Sequence, residues 1–105
     1  MILTVFRSKL RDGVEEEYYD LASKIASEAE TVPGFISRKS YVSEDGERLS
    51  LVIFENRESQ AGWAKNAAHT EAMNKGRELF YSEYSVQVCE VVRESQFLQG
   101  NEKNA

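Results

Sequence analysis

Seven apolar residues, Val14, Tyr18, Leu21, Ala22, Ile25, Ala26 and Ala29, recur at i, i+4, i+7, i+8, i+11, i+12 and i+15. Only a helix gathers that spacing onto one face, and such a helix needs an apolar surface to lie on. Asp12-Gly13-Val14-Glu15 ahead of it has the acceptor-x-x-Glu form of a capping box. Glu15, Glu16 and Glu17 place negative charge at the positive end of the helix dipole. The helix must stop near Thr31-Val32-Pro33-Gly34, because Pro33 has no amide proton and disfavours helical geometry at Val32.

The surface it covers is written in short runs on either side. Ile2 to Ser8, with Val5 and Phe6, suits a central strand. Phe35 to Ser43 reads as a second strand, whose alternation is broken by Arg38, Lys39 and Ser40, so it belongs at an edge or faces a cavity. Asp45-Gly46 marks a hairpin, since those turn positions favour residues tolerant of positive φ. The run Leu49 to Phe54 is apolar at nearly every position and predicts a strand covered on both faces. Tyr84 to Arg93 predicts the last strand, with Tyr84, Val86, Val88 and Val92 on one face.

Between the last two strands lies Asn56 to Tyr84, which holds the only Trp and the only His of the chain. Asn56 can cap a first helix by accepting from the amide of Glu58 or Ser59, with Trp63 two turns in. Asn66-Ala67-Ala68-His69 reads as a joint, Asn66 capping a second helix whose apolar face is Ala68, Ala72, Gly76, Leu79 and Phe80. The order strand, helix, strand, strand, helical region, strand is the ferredoxin-like split βαβ arrangement of the α+β class, with both helical regions on one side of an antiparallel sheet. The other side is then bare, and a second copy of the same sheet covers it most simply. The chain is expected to form a homodimer through that face.

With 105 residues the chain has room for one domain, expected at 1–97, followed by a polar tail at 98–105. A formal net charge of −5 works against phosphate backbones, which bind through Lys and Arg, so nucleic acid is not an expected partner. One cysteine, Cys89, cannot close an internal disulfide, and no apolar run approaches the length of a membrane span. Met1-Ile2-Leu3-Thr4-Val5-Phe6 gives way to Arg7 and Lys9 without a small-residue cleavage site, which makes the cytoplasm the expected compartment.

Val32-Pro33-Gly34-Phe35, Asp45-Gly46-Glu47-Arg48, Trp63, His69, Gly76-Arg77, Tyr81, Tyr84 and Val88-Cys89-Glu90-Val91-Val92-Arg93-Glu94 together resemble the antibiotic biosynthesis monooxygenase domain family, most closely its haem-degrading-monooxygenase-like branch. The resemblance runs from Ile2 to about Phe97 and implies a dimeric α+β barrel, with a private cavity between helices and sheet in each subunit. Known activities of such domains include cofactor-free oxygenation of quinols or polyketide aromatics and haem degradation, so fold transfers more readily than chemistry. Haem-degrading members resemble one another in an Asn on the first strand, a Trp in the second helical region and a His ten residues beyond it. Here only Trp63 matches: the first strand has no Asn, Met73 stands ten residues past Trp63, and His69 only six past it. Many relatives carry His-Pro-x-His after the Trp, where this chain has Asn66 and Ala67 in the first two places, leaving a poor set of metal ligands.

The resemblance, taken with the lone imidazole beside the lone indole, implies a reading with no cofactor and no metal: a cofactor-independent monooxygenase acting on a small phenol or quinol with dioxygen. His69 is the candidate base, since an ordinary imidazole titrates near neutrality, and its alternative role is a helix-end His bonded to backbone. Asn66 is the candidate oxygen-orienting donor, and Arg77 the candidate partner for developing negative charge, otherwise a solvated side chain like Arg57. Trp63, Met73, Phe80 and Phe54 are the candidate substrate-binding residues, though a Trp on an Ala-rich helix is more often a core or rim anchor. Tyr18, Tyr41, Tyr81 and Tyr84 are read as core or interface residues and Cys89 as a small packed one. Two further readings stay open: a haem-binding or haem-degrading monooxygenase, and a small-molecule-binding protein without turnover.

Overall fold

The computed structural model describes residues 1–100 and has the order β1 (Ile2–Leu10), α1 (Glu15–Glu30), β2 (Phe35–Val42), β3 (Arg48–Phe54), α2 (Arg57–Ala64), α3 (Ala67–Lys75), a π-helical turn (Gly76–Phe80) and β4 (Tyr81–Glu90). The four strands form one antiparallel sheet in the order β2-β3-β1-β4. This is the α+β, ferredoxin-like arrangement, with the helices on one face of the sheet. β1 is central, as its apolar run implies, and β2 is an edge strand. Of the expected tail, residues 101–105 lie outside the described residues.

Register explains the two faces. Thr4 stands opposite Val52 on one side and Val88 on the other, and Phe6 opposite Ser50 and Val86, all on the helix-covered face. On that face Ile2, Val52, Phe54, Ala29 and Trp63 are buried, and Phe35 meets Phe54 edge-on at 6.2 Å. Leu3, Val5, Leu49, Leu51 and Ile53 alternate with them and point to the other face, where each stays half-exposed. The continuous apolar run of β3 is thus covered on one face and half-open on the other within a single chain.

On α1 the stripe behaves as its spacing dictates: Leu21, Ala22, Ile25 and Ala26 are half-buried, Ala29 is buried, and the intervening positions are exposed. Its start differs from the expectation. Val14 occupies the cap position with no side-chain cap bond, because Gly13 at φ +79° turns the chain and removes Asp12 from the helix end. Only Glu15, Glu16 and Glu17 serve the first turn. The hairpin forms as read: Gly46 takes φ +88°, the Ser43 amide donates to the Glu47 carbonyl at 2.9 Å, and Asp45 accepts from the Glu47 amide at 2.9 Å.

The last strand begins and ends earlier than its composition suggests. The chain widens into the π-helical turn after α3, with the Tyr81 amide bonded to the Gly76 carbonyl, and this rotates Leu79 outward to 45% exposure while Phe80 stays buried. Arg11 ties this turn down by donating to the carbonyls of Arg77, Glu78 and Tyr81 at 2.8, 2.9 and 3.1 Å. Pairing with β1 then starts at Tyr81, and Val92, expected on a strand face, lies beyond β4 at 91% exposure.

Candidate functional site

Between the helices and the covered sheet face lies a cavity of about 160 Å³. Its floor is Thr4 and Phe6 of β1, Arg38 of β2, Ser50 and Val52 of β3 and Val86 of β4; its walls come from α1, α2, α3 and Tyr81. About 150 Å³ of apolar space is enough for one benzene ring. A more open hollow of about 230 Å³ adjoins it and shares Tyr18, Ala22, Arg38 and Ser50 as a common wall.

Trp63 and His69 form one side of the cavity. Asn56 caps α2 by accepting from the Ser59 amide at 2.9 Å, which sets the phase that turns Trp63 inward to 6% exposure. Asn66 then caps α3, accepting from the His69 amide at 3.1 Å. The short joint leaves the indole and imidazole rings 4.6 Å apart, tilted at 46°. Burial holds the His69 imidazole below its ordinary value of 6.5, while hydrogen bonding to the Ala64 backbone partly opposes this. A neutral imidazole that donates from one nitrogen carries a lone pair on the other. Here Nδ1 is buried without a partner, and so are Thr4 Oγ1 and Ser8 Oγ; His69 and Thr4 line the cavity, and Ser8 does not. Buried polar atoms are normally paired, and two of the three unpaired ones belong to residues that line this cavity.

Tyr18, Tyr81 and Arg38 form the other side. Burial, with the Tyr18 phenol beside it, pushes the Tyr81 hydroxyl far above the ordinary phenol range, and the nearby Arg38 only weakly opposes this. Tyr81 is therefore a neutral donor. Gly76 makes its position possible, since a Cβ there would strike the Tyr81 ring. Phe6 stacks on Tyr84 at 5.4 Å and meets Tyr81 edge-on at 5.5 Å, completing the aromatic wall.

Of the residues singled out in the sequence, Trp63, Met73 and His69 line the cavity. The others do not. Asn66 spends its side-chain oxygen on the α3 cap. Arg77 points away from the cavity, with Nη1 donating to the Tyr84 hydroxyl at 2.7 Å and Nη2 bonded to Asn74. Phe54, fully buried, packs in the core, and Phe80, at 3% exposure, lies behind Tyr18, 6.2 Å from its ring. Neither phenylalanine is among the residues that line the cavity. Arg38, Thr4, Tyr18 and Tyr81 were not singled out as site residues. The signal for Arg38 was the broken alternation of β2, which pointed to a cavity without choosing the residue.

Among the described residues, no three His, Cys, Asp or Glu side chains converge as a metal site, and no helix is long and apolar enough to cross a membrane. A haem does not fit here. The cavity is sized for one ring, and the lone imidazole is packed at a tilt against Trp63 rather than standing over an open plane.

The sequence model of the family described as antibiotic biosynthesis monooxygenase matches residues 1–75. The uncharacterized protein YqjZ of Bacillus subtilis is 27% identical over 93 residues, covering 89% of this chain and 82% of that protein. A jasmonate monooxygenase of Pyricularia oryzae is also 27% identical over 93 residues, but the match spans only 43% of its length against 87% of this chain. Among solved structures, SnoaB, a cofactor-independent oxygenase of Streptomyces nogalater, superposes with a TM-score of 0.75 at 12% identity, covering 89% of this chain and 94% of that one. At that identity the likeness is one of fold.

Proposed function

Because this chain belongs to the antibiotic biosynthesis monooxygenase family, we propose that it is a cofactor-independent monooxygenase acting on a single-ring phenol or quinol held between Trp63 and the sheet. The observation that carries this reading is His69 itself, an imidazole with an unpaired Nδ1 that sits against the Trp63 indole in the wall of a cavity of one-ring size. The His69 imidazole takes the proton of a ring hydroxyl, leaving an electron-rich phenolate among largely apolar walls. Stacking on Trp63 orients the ring, and the neutral Tyr81 hydroxyl donates to an oxygen on its far side. The phenolate then reduces dioxygen directly: one oxygen atom enters the ring, the other leaves as water, and the ring becomes a quinone. Oxidation of a phenol to a quinone supplies all four electrons that dioxygen takes up, so no external reductant enters the balance.

The half-exposed apolar face of β1 and β3 supports a second copy of the chain as its cover. In this reading the homodimer buries Leu3, Val5, Leu49, Leu51 and Ile53, and Leu51→Glu yields a monomer by sedimentation.

The activity is tested by titrating simple phenols and quinols under nitrogen, following Trp63 fluorescence, and then admitting air. The expected result is saturable quenching followed by uptake of one dioxygen per quinone formed. Quenching without oxygen uptake across the series would instead identify a binding protein without turnover.

A further inference from the structure

Arg38 is half-buried at the wall between the cavity and the outer hollow. Arg48, also half-buried, lines the outer hollow, donates to the Tyr19 hydroxyl at 2.7 Å, and lies over the rings of Tyr18 and Tyr19 at 5.4 and 4.9 Å. Among the described residues the ion pairs are Lys9 with Asp45 and Glu83, and Arg57 with Glu90, so neither hollow arginine has a carboxylate partner. The chain has 18 acidic residues, yet among the described residues no acid lines either hollow. A negatively charged chain has thus kept its acids away from two arginines that converge on one opening. Stacking on tyrosines orients a guanidinium without neutralising it.

We propose that the substrate ring carries a carboxylate arm, which leaves the inner cavity past Tyr18 and is received by Arg38, with Arg48 reinforcing it in the outer hollow. The proposal rests on the oxygenase reading for its ring and adds the class of the substituent. Sizes agree with this division: the inner cavity takes one ring, and the outer hollow takes what is attached to it. A planar carboxylate matches the guanidinium fork, and such charge-assisted bonds are stronger than neutral ones. The Ser40 and Ser50 hydroxyls, 3.0 Å apart at the same opening, offer further donors.

The test compares 4-hydroxyphenylacetate with its neutral amide, 4-hydroxyphenylacetamide, by quenching of Trp63 fluorescence under nitrogen. The acid is expected to bind the natural protein about tenfold more tightly, the scale of one charge-assisted hydrogen bond. In Arg38→Met the ratio of the two affinities falls to about one, while Arg77→Met, altered outside the cavity, keeps it. Added salt narrows the ratio in the natural protein, a readout that stands even if Arg38→Met fails to fold. Equal binding of acid and amide, a preference untouched by salt, or one that survives Arg38→Met overturns the proposal and leaves the oxygenase reading in place. Failure of both probes to bind overturns the ring site itself.

Discussion

The two sides of the cavity are made by different means. Trp63 and His69 sit on helices whose first turns are fixed by Asn56 and Asn66, and Trp63 is locked into the cluster of Ala29, Val52 and Phe54. Arg38 stands on an edge strand, paired to β3 alone, where its side chain lines both the cavity and the outer hollow. The first side controls the protonation of a buried ring. The second is open enough to admit a charge and to hold it against a phenol that stays neutral. Division of labour between a packed, apolar side and a charged one is what the comparison teaches, and substitutions on each side should fail differently.

The largest expected effect is on the rigid side. Trp63→Ala removes a nearly buried indole from the core and should cost about 3–5 kcal/mol of stability in denaturant unfolding. A cost below about 1 kcal/mol would place Trp63 on a surface rather than in a core. His69→Ala should leave the fold intact and lower kcat about 10²–10⁴-fold, the range of a lost general base, with little change in substrate affinity. If affinity fell and kcat held, the imidazole would belong with the binding groups of the opposite side.

This division also explains what could be read from the chain beforehand. The α1 stripe and the paired asparagines were legible because periodicity and capping are local properties, and Asn56 and Asn66 cap as their positions imply. The capping box failed because Gly13, at positive φ, put Asp12 out of reach. The π-helical turn was hidden: a widened turn carries no spacing of its own, and what fixes it is Arg11, more than sixty residues earlier in the chain. Apolar character could not separate the cavity wall from the core behind it. Met73 therefore lines the cavity while Phe54 and Phe80, equally apolar, do not. Arg38 was visible only as an interruption, because the tyrosines that give it a role come from α1 and from β4.

The pH dependence sharpens the contrast. Burial lowers the His69 pKa from 6.5, so the folded chain binds fewer protons than the unfolded chain between the two values. The stability this contributes is complete above 6.5 and is lost as pH falls through the lower folded value. The acid limb of kcat/KM should likewise have its midpoint below 6.5. Trp63→Phe, by admitting water beside the ring, should move that midpoint upward. An acid limb above 6.5 would mean that a different group supplies the base.

Smaller effects separate positioning from contact. Asn66→Ala deletes the α3 cap and should cost about 1 kcal/mol, with a fall in kcat because the His69 backbone loses its anchor. Arg77→Ala should do least. Its guanidinium bonds the Tyr84 hydroxyl and Asn74 at an exposed position, and neither partner lines the cavity. Exposed polar contacts of this kind are worth within about 0.5 kcal/mol, so unfolding, kcat and affinity should all stay close to those of the natural protein. A large loss of kcat in Arg77→Ala at unchanged stability would require the Tyr84 side of the aromatic wall to open during turnover, and would move the charged side of the site from β2 to the π-helical turn.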